Sequence, residues 1–347
     1  MKKTSRIVLV LLASTSLTVP AWAEDITTDY LNGLTGSKIS WSNEASETDT
    51  GSVTIGEQTF YYTYNKPDDY TETSTMVTNT LATADVDKKV FTVTGGSGIA
   101  SIIINSLDNS TTNINSDFIL NLKIGNGTIK NSSDGTIADI NGSFLNNKQA
   151  IGSIINNSGT IGNIAGNFVD NYNSEDQGGI NNSGTISSIS GNFIGNHVSS
   201  PYMAKGGAIC NHGLIVNGIK NSSFIGNYTE LRRKIEAFPA PPKYSQGGAI
   251  YTSSDLDFFA DNYHSLISEN YIEDIFGTKT QEAIYAKNSS LRFDTINNGV
   301  FTINDIINGE NYNINISGDG TGVVKFNNEV KNVTNFTLGA NSITHLG

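Results

Sequence analysis

Gly184-Thr-Ile-Ser-Ser-Ile-Ser-Gly-Asn-Phe193-Ile-Gly-Asn196 is the third of three segments that align without a gap, after Gly135-Thr-Ile-Ala-Asp-Ile-Asn-Gly-Ser-Phe144-Leu-Asn-Asn147 and Gly159-Thr-Ile-Gly-Asn-Ile-Ala-Gly-Asn-Phe168-Val-Asp-Asn171. The period is 24, then 25 residues. A looser copy ends in Phe224-Ile-Gly-Asn227, and another in Ile267-Ser-Glu-Asn270. Between these endings stands a second block: Gly178-Gly179-Ile180, Gly206-Gly207-Ala208-Ile209, Gly247-Gly248-Ala249-Ile250-Tyr251 and the degraded Glu282-Ala283-Ile284-Tyr285. Ile137, Ile140 and Phe144 sit at i, i+3 and i+7, which fits a helix face as well as a strand. Propensity decides for strands. A helix through Gly184 to Asn196 would contain Gly191 and Gly195, each costing about 1 kcal/mol relative to Ala, besides several Ser and Asn.

As strands, Ile140, Gly142 and Phe144 alternate onto one face, and the Asn-Ser-Gly clusters at 157–159 and 182–184 supply turns. One period is too small to bury its own apolar face, so successive periods must stack at about 4.8 Å per coil into an all-β solenoid. Stacking predicts an internal column of Phe144, Phe168, Phe193 and Phe224. It also predicts a corner ladder of Asn147, Asn171, Asn196, Asn227 and Asn270, where Asn tolerates a left-handed backbone and its amide bonds to the copies above and below. The paired glycines suit a turn of positive φ or a close passage between coils.

Composition agrees. The chain of 347 residues carries 35 Gly and 43 Asn but only 6 Pro, and 16% of it is charged; poor helix formers dominate, yet the apolar residues recur in order, which excludes both a helical protein and plain disorder. The single cysteine, Cys210, excludes a disulfide framework and a cysteine zinc site within one chain. Met1–Ala23 holds Lys2, Lys3 and Arg6, an apolar run from Ile7 to Ala13, and Ala21-Trp22-Ala23. This reads as a secretory signal peptide, the run being too short to span a bilayer. Its removal takes three basic residues and no acid from 21 basic and 33 acidic ones, so the net charge moves from −12 to −15. Such a surface disfavours nucleic acid and anionic lipid as partners.

The alternating Gly-Gly-Ala-Ile and Phe-x-x-Asn blocks resemble the repeats of polymorphic outer-membrane proteins and, more broadly, autotransporter passenger domains. The likeness runs from about Asn121 to Ala286, with Gly206–Ile209, Gly247–Tyr251, Phe193–Asn196 and Phe224–Asn227 as its nearest matches. The tail, Ile314–Val323 and Leu338–Ser342, is similar in style to later coils. The resemblance implies a right-handed parallel β-helix exported by the type V route, exposed on the cell surface and commonly serving as an adhesin. Its expected partner is a host or cell-surface ligand, protein or glycan. Members of the family normally continue into a C-terminal barrel, and the last residues, Thr344-His345-Leu346-Gly347, lack the aromatic end that such barrels carry. A separate or missing translocator is therefore expected, with a periplasmic location where none is available.

The domain reading follows: a signal peptide over 1–23, an N-terminal capping and leading region over 24–120, the repeat helix over 121–286 and further coils over 287–347. Residues 230–245, with Arg232, Arg233, Lys234, Pro239, Pro241 and Pro242, interrupt the period and read as a protruding loop able to make a contact. The sequence offers no catalytic, cofactor-binding or metal-binding residues. His197, His212, His264 and His345 lack ligand spacing, and Cys210 with His212 makes only two donors. No G-x-S-x-G elbow is present. Asp139 aligns with Asn163 and Ser188, and Asp170 with Asn146 and Gly195, so no acid repeats in register as a calcium ladder requires. The rival reading is a polysaccharide lyase or glycosidase, since parallel β-helices host these too. Asp255 and Asp257 at i and i+2, beside Phe258 and Phe259 and near Asp261, could do acid and base work on a glycosidic bond. Against it, no Arg or Lys is expected near them, and outward-pointing acids on a solvated strand explain the pattern.

Overall fold

The computed structural model describes residues 26–75, 77–78, 86–94, 101–105, 113–125, 127–149, 152–174, 177–232 and 244–347. The signal segment, and Arg233, Lys234, Pro239, Pro241 and Pro242 of the interrupting loop, lie outside them.

One coil shows how the repeat folds. Ile155–Asn157 forms a short strand, Ser158 and Gly159 turn the chain, and Thr160–Val169 forms a long strand. Asp170, at φ 53°, then turns it into the short strand Tyr172–Asn173. Each coil thus contributes to three faces, and neighbouring coils pair in parallel and in register, as from Thr160↔Thr185 to Val169↔Ile194. Among the described residues the first face has nine strands, from Val77–Thr78 to Ile307–Glu310, and the third has seven. The second, broad face takes from each coil one long strand or two short ones in line. The chain is an all-β parallel β-helix. The i, i+3 spacing that mimics a helix is a bend within the broad face: Ile137 pairs with Ile161 and Ile140 with Ile164, and all four point inward.

The interior is built of columns. Ile129, Ile155, Ile180, Ile209, Ile250, Ile284 and Ile307 follow one another on the first face, four of them the isoleucines of the Gly-Gly-Ala-Ile block. The phenylalanine column of the broad face is longer than the repeat alone indicates. It begins at Phe91 and Phe118, and its rings stack through Phe224 with centroids 4.6–5.0 Å apart. Where the next coil substitutes Ile267 for the ring, the aromatic moves sideways: Phe258 stands in register with Ile219 and stacks on Phe293 at 4.8 Å. The core volume is kept while the column changes, which close packing demands.

The asparagine ladder is also present and longer than expected. Each side-chain amide from Asn121 through Asn147, Asn171, Asn196, Asn227 and Asn270 donates to the carbonyl of the next at 2.7–3.0 Å, and Asn270 donates to Asp305. Their Oδ1 atoms accept the backbone N–H of the preceding rung, so buried amides satisfy corner groups that no sheet reaches. The left-handed residue is not the ladder Asn, as expected, but the one before it: Asn146, Asp170, Gly195, Gly226 and Glu269 have φ of 50–65°. A second buried ladder, Asn105, Asn131, Asn157, Asn182 and Asn211, joins the other corner at 2.9 Å per rung. The paired glycines behave as expected. Gly206 and Gly247 have φ of 56° and 64°, and a Cβ on Gly207 would lie 2.4 Å from the carbonyl oxygen of Gly248.

The N-terminal region corrects the expected organisation. The helix does not begin near residue 121: Thr71–Thr73, Asp87–Phe91 and Asn113–Ile119 already pair in parallel as its first coils. The coils continue past 286, with Ile284 in register with Ile307. What precedes is a helix α1 (Thr28–Thr35) and an antiparallel sheet of β1 (Ile39–Ser42), β2 (Gly51–Ile55) and β3 (Gln58–Tyr64). Thr27 caps α1 by accepting the N–H of Tyr30 at 3.1 Å, and Gly36 at φ 67° ends it. This unit does not sit over the open first coil. It lies along the flank, where Leu31, Trp41, Val53, Ile55, Phe60 and Tyr62 bury the outward row Ile119, Leu145, Val169, Ile194, Ile225 and Leu266. From Ile119 to Ile225 the row follows the phenylalanine column by one residue, so a strand that faces the core with one side chain faces the flanking unit with the next; Leu266 instead precedes Ile267, the column residue of its coil. Buried Asp117 fastens the unit by accepting from Lys38 at 2.9 Å and from the Tyr64 hydroxyl at 2.8 Å.

Candidate binding cleft on the broad face

The strand Leu256–Asp261 alternates strictly: Leu256, Phe258 and Ala260 point inward, whereas Asp257, Phe259 and Asp261 point outward. Its neighbours are Ile219–Ile225 on one side and Ser290–Ile296 on the other. The register sets Lys220 beside Phe259, and Asp257 beside Arg292. These side chains, with Asn217, Asn221 and the apolar Val216 and Ile296, border a cleft of about 400 Å³.

Arg292 organises it. Its Nη2 donates to Asp257 Oδ2 at 2.9 Å, and its guanidinium lies 5.3 Å from the centre of the Phe259 ring. The ion pair is part-exposed, so it contributes at most about 1 kcal/mol; its consequence is orientation. Burial pushes the Asp257 carboxyl above its ordinary value, Arg292 opposes this, and Asp255 and Asp294 add to it. Asp261 Oδ1 accepts the amide of Asn297 at 2.7 Å, and the Asp261 N–H donates to Asn221 Oδ1 at 2.9 Å. Asp255 Oδ1 accepts the backbone N–H of Ser290 at 2.7 Å.

The outward acids are as the strand pattern predicts, but two expectations fail. Arg292 and Lys220 do stand beside the acids, contrary to the expected lack of basic residues. Only Phe259 borders the cleft, because Phe258 is buried in the core against Phe293. A local search along the chain misses Arg292, since it comes from the next coil. The offset from Ile250 to Ile284 carries the signal: 34 residues beyond Asp257 is the immediate neighbour of Arg292.

The remaining candidates are spread over other faces. His197 is held between Tyr172 and Tyr228 in an outer stack that continues to Tyr271, and burial brings its pKa down to about 4. His212 contacts the buried Cys210 Sγ at 3.4 Å through Nε2 and Ser253 Oγ at 2.8 Å through Nδ1. His264 meets Thr302 Oγ1 at 2.8 Å, and His345 is exposed on the last strand. Among the described residues no three His, Cys, Asp or Glu side chains gather as a metal site. Asp139 Oδ1 accepts both the N–H and the amide of Asn163, a cross-coil bond of the same kind as the ladders. A larger crevice of about 830 Å³ separates the β2–β3 turn from Ser268, Glu269 and Asn304; it is the seam between the flanking unit and the helix. No helix among the described residues is long and apolar enough to cross a membrane.

No family model, curated protein or solved structure matches the chain.

Proposed function

We propose that the chain is an exported, non-enzymatic β-helix of the autotransporter-passenger type, acting at the cell surface as an adhesin or stalk. The observation that carries this reading is the engagement of the broad-face acids. Asp255 accepts a backbone N–H, Asp257 pairs with Arg292, and Asp261 accepts the amide of Asn297. A glycosidase needs two carboxyl groups facing one bond across about 5–10 Å, whereas each of these is turned toward and oriented by a residue of the next coil, with lone pairs left to accept further hydrogen bonds. The two asparagine ladders and the flanking unit, which bridges many coils, favour a stiff rod that presents a surface. A facing surface that carries protein or glycan ligands is the corresponding partner.

A second reading, a β-helical lyase or glycosidase, is favoured by one observation: Asp257 borders a cleft and its carboxyl is pushed up by burial, as a general acid requires. Incubating the purified chain with neutral and acidic polysaccharides separates the two. The binding reading expects no release of reducing or unsaturated ends, and beads coated with the protein that adhere to epithelial or mucin-coated surfaces where bare beads do not. Sustained release of ends, abolished by Asp257→Asn, would replace it with the enzymatic one.

A further inference from the structure

We propose that the cleft between Lys220, Asp257, Asp261 and Arg292 is a saccharide-binding site that takes one or two rings of an uncharged glycan. The inference rests on the reading of the chain as a binding scaffold and gives that scaffold a ligand class.

The lining argues for hydroxyl-rich ligands. Every sugar hydroxyl both donates and accepts, and the cleft offers both in a small space: the Asp257 and Asp261 carboxylates only accept, Lys220 and Arg292 only donate, and Asn217 and Asn221 can do either. Arg292, Asp257, Asp261, Asn217 and Asn221 are held before any ligand arrives. Arg292 is fixed by Asp257 and the Phe259 ring, with further N–H groups left on its guanidinium. Asn221 already accepts the Asp261 N–H through Oδ1, which leaves its amide to donate outward. Such preorganisation lowers the ordering cost of binding. Val216, 53% exposed, and Ile296, beside Asp261, add apolar edges to the cleft on which the C–H faces of a sugar can rest. The volume of about 400 Å³ is within the range of small-molecule sites.

Charge and topology exclude the other classes. Two acids and two bases border the cleft, so it has no excess positive charge for an anionic ligand, and Asp255 and Asp294 lie close enough to act on Asp257 and repel one. Nucleic acid is disfavoured by the net charge of −12. A peptide strand cannot add here, because Leu256–Asp261 is hydrogen-bonded to a strand on both sides.

The test titrates the purified chain with cellohexaose, laminarihexaose, mannohexaose and chitohexaose, and with a heparin hexasaccharide for comparison. Calorimetry and saturation-transfer NMR read the binding. At least one uncharged hexasaccharide should bind in preference to heparin, and its affinity should fall about ten-fold or more in Asp257→Asn and in Arg292→Gln, the loss typical of a hydrogen bond to a charged group. Both side chains are part-exposed, so the variants should keep the parent's circular dichroism, and Asp139→Asn, on a distant coil, should bind as the parent does. Absence of binding by all four uncharged oligosaccharides at millimolar concentration would overturn the proposal. So would preference for heparin, or binding untouched by both cleft substitutions. Shortening of a hexasaccharide whose binding depends on Asp257 would support the cleft while refuting the non-enzymatic reading, so the two failures are distinct.

Discussion

Asp305 Oδ2 accepts the side-chain amide of Asn270 at 2.8 Å and the Asn270 backbone N–H at 3.0 Å, which makes a carboxyl group the last rung of a ladder otherwise composed of asparagine. Its other oxygen is buried without a hydrogen-bond partner among the described residues, and burial pushes its pKa up to about 7. Asp170, at the seam with the flanking unit, is likewise raised to about 7 by burial, against the opposing hydrogen bond from Tyr62.

The sign of the pH dependence follows. An unfolded Asp titrates near about 3.9, so between about pH 4 and 7 these two carboxyls hold more protons folded than unfolded and make stability fall as pH rises; buried His197, brought down to about 4, acts the opposite way but is one group against two. Thermal unfolding should therefore occur at a higher temperature at pH 5 than at pH 8. Asp305→Asn should flatten the slope and gain about 2 kcal/mol at pH 8, where the buried carboxyl would otherwise have to ionise. A variant no more stable than the parent at pH 8 would clear the buried carboxylate of responsibility.

Phe193→Ala should destabilise the chain by about 3–5 kcal/mol, because the ring is fully buried between Phe168 and Phe224, each 4.8 Å away, and its loss leaves a cavity in a stacked column. Asp261→Ala, on the exposed side, should cost about 0.5 kcal/mol or less. Urea denaturation of the two variants measures the difference, and equal midpoints would refute the column as a source of stability.

Gly195→Val should loosen the flanking unit while leaving the coils stacked. Gly195 has φ 65°, which a β-branched residue resists, and a Cβ there would lie 2.3 Å from Val53 Cγ1. Trp41 reports the event, being 6% exposed within that unit and the single tryptophan beyond Ala23. Its emission should shift to the red in the variant with little change in the far-ultraviolet spectrum. Unchanged Trp41 emission would mean that the contact at Gly195 does not hold the unit in place.

Exported protein should begin at Glu24, since Ala21 and Ala23 meet the small-residue requirement of signal peptidase. Intact-mass measurement checks this directly, and a mass that includes Met1–Ala23 would remove the case for export.

The repeat by itself determined that the chain is a stack of parallel strands, and which residues stand above one another. A period-two strand that recurs every 24 or 25 residues has one way to bury Phe144, Phe168 and Phe193 together, and parallel register then aligns Asn147, Asn171 and Asn196 without further information. What the tertiary structure alone decided lies where one coil meets something out of register with the repeat. The degenerate coils put Phe258 rather than Phe259 into the core, and they bring Arg292 to Asp257 from 35 residues away. The α1–β3 unit has no repeat to place it; its position along the flank depends on the second row of apolar side chains, Leu145, Val169, Ile194 and Ile225, which becomes an interface only when coils are stacked. Periodicity specifies neighbours at a constant offset, whereas a cleft and a docked flank are made of contacts whose offsets occur once.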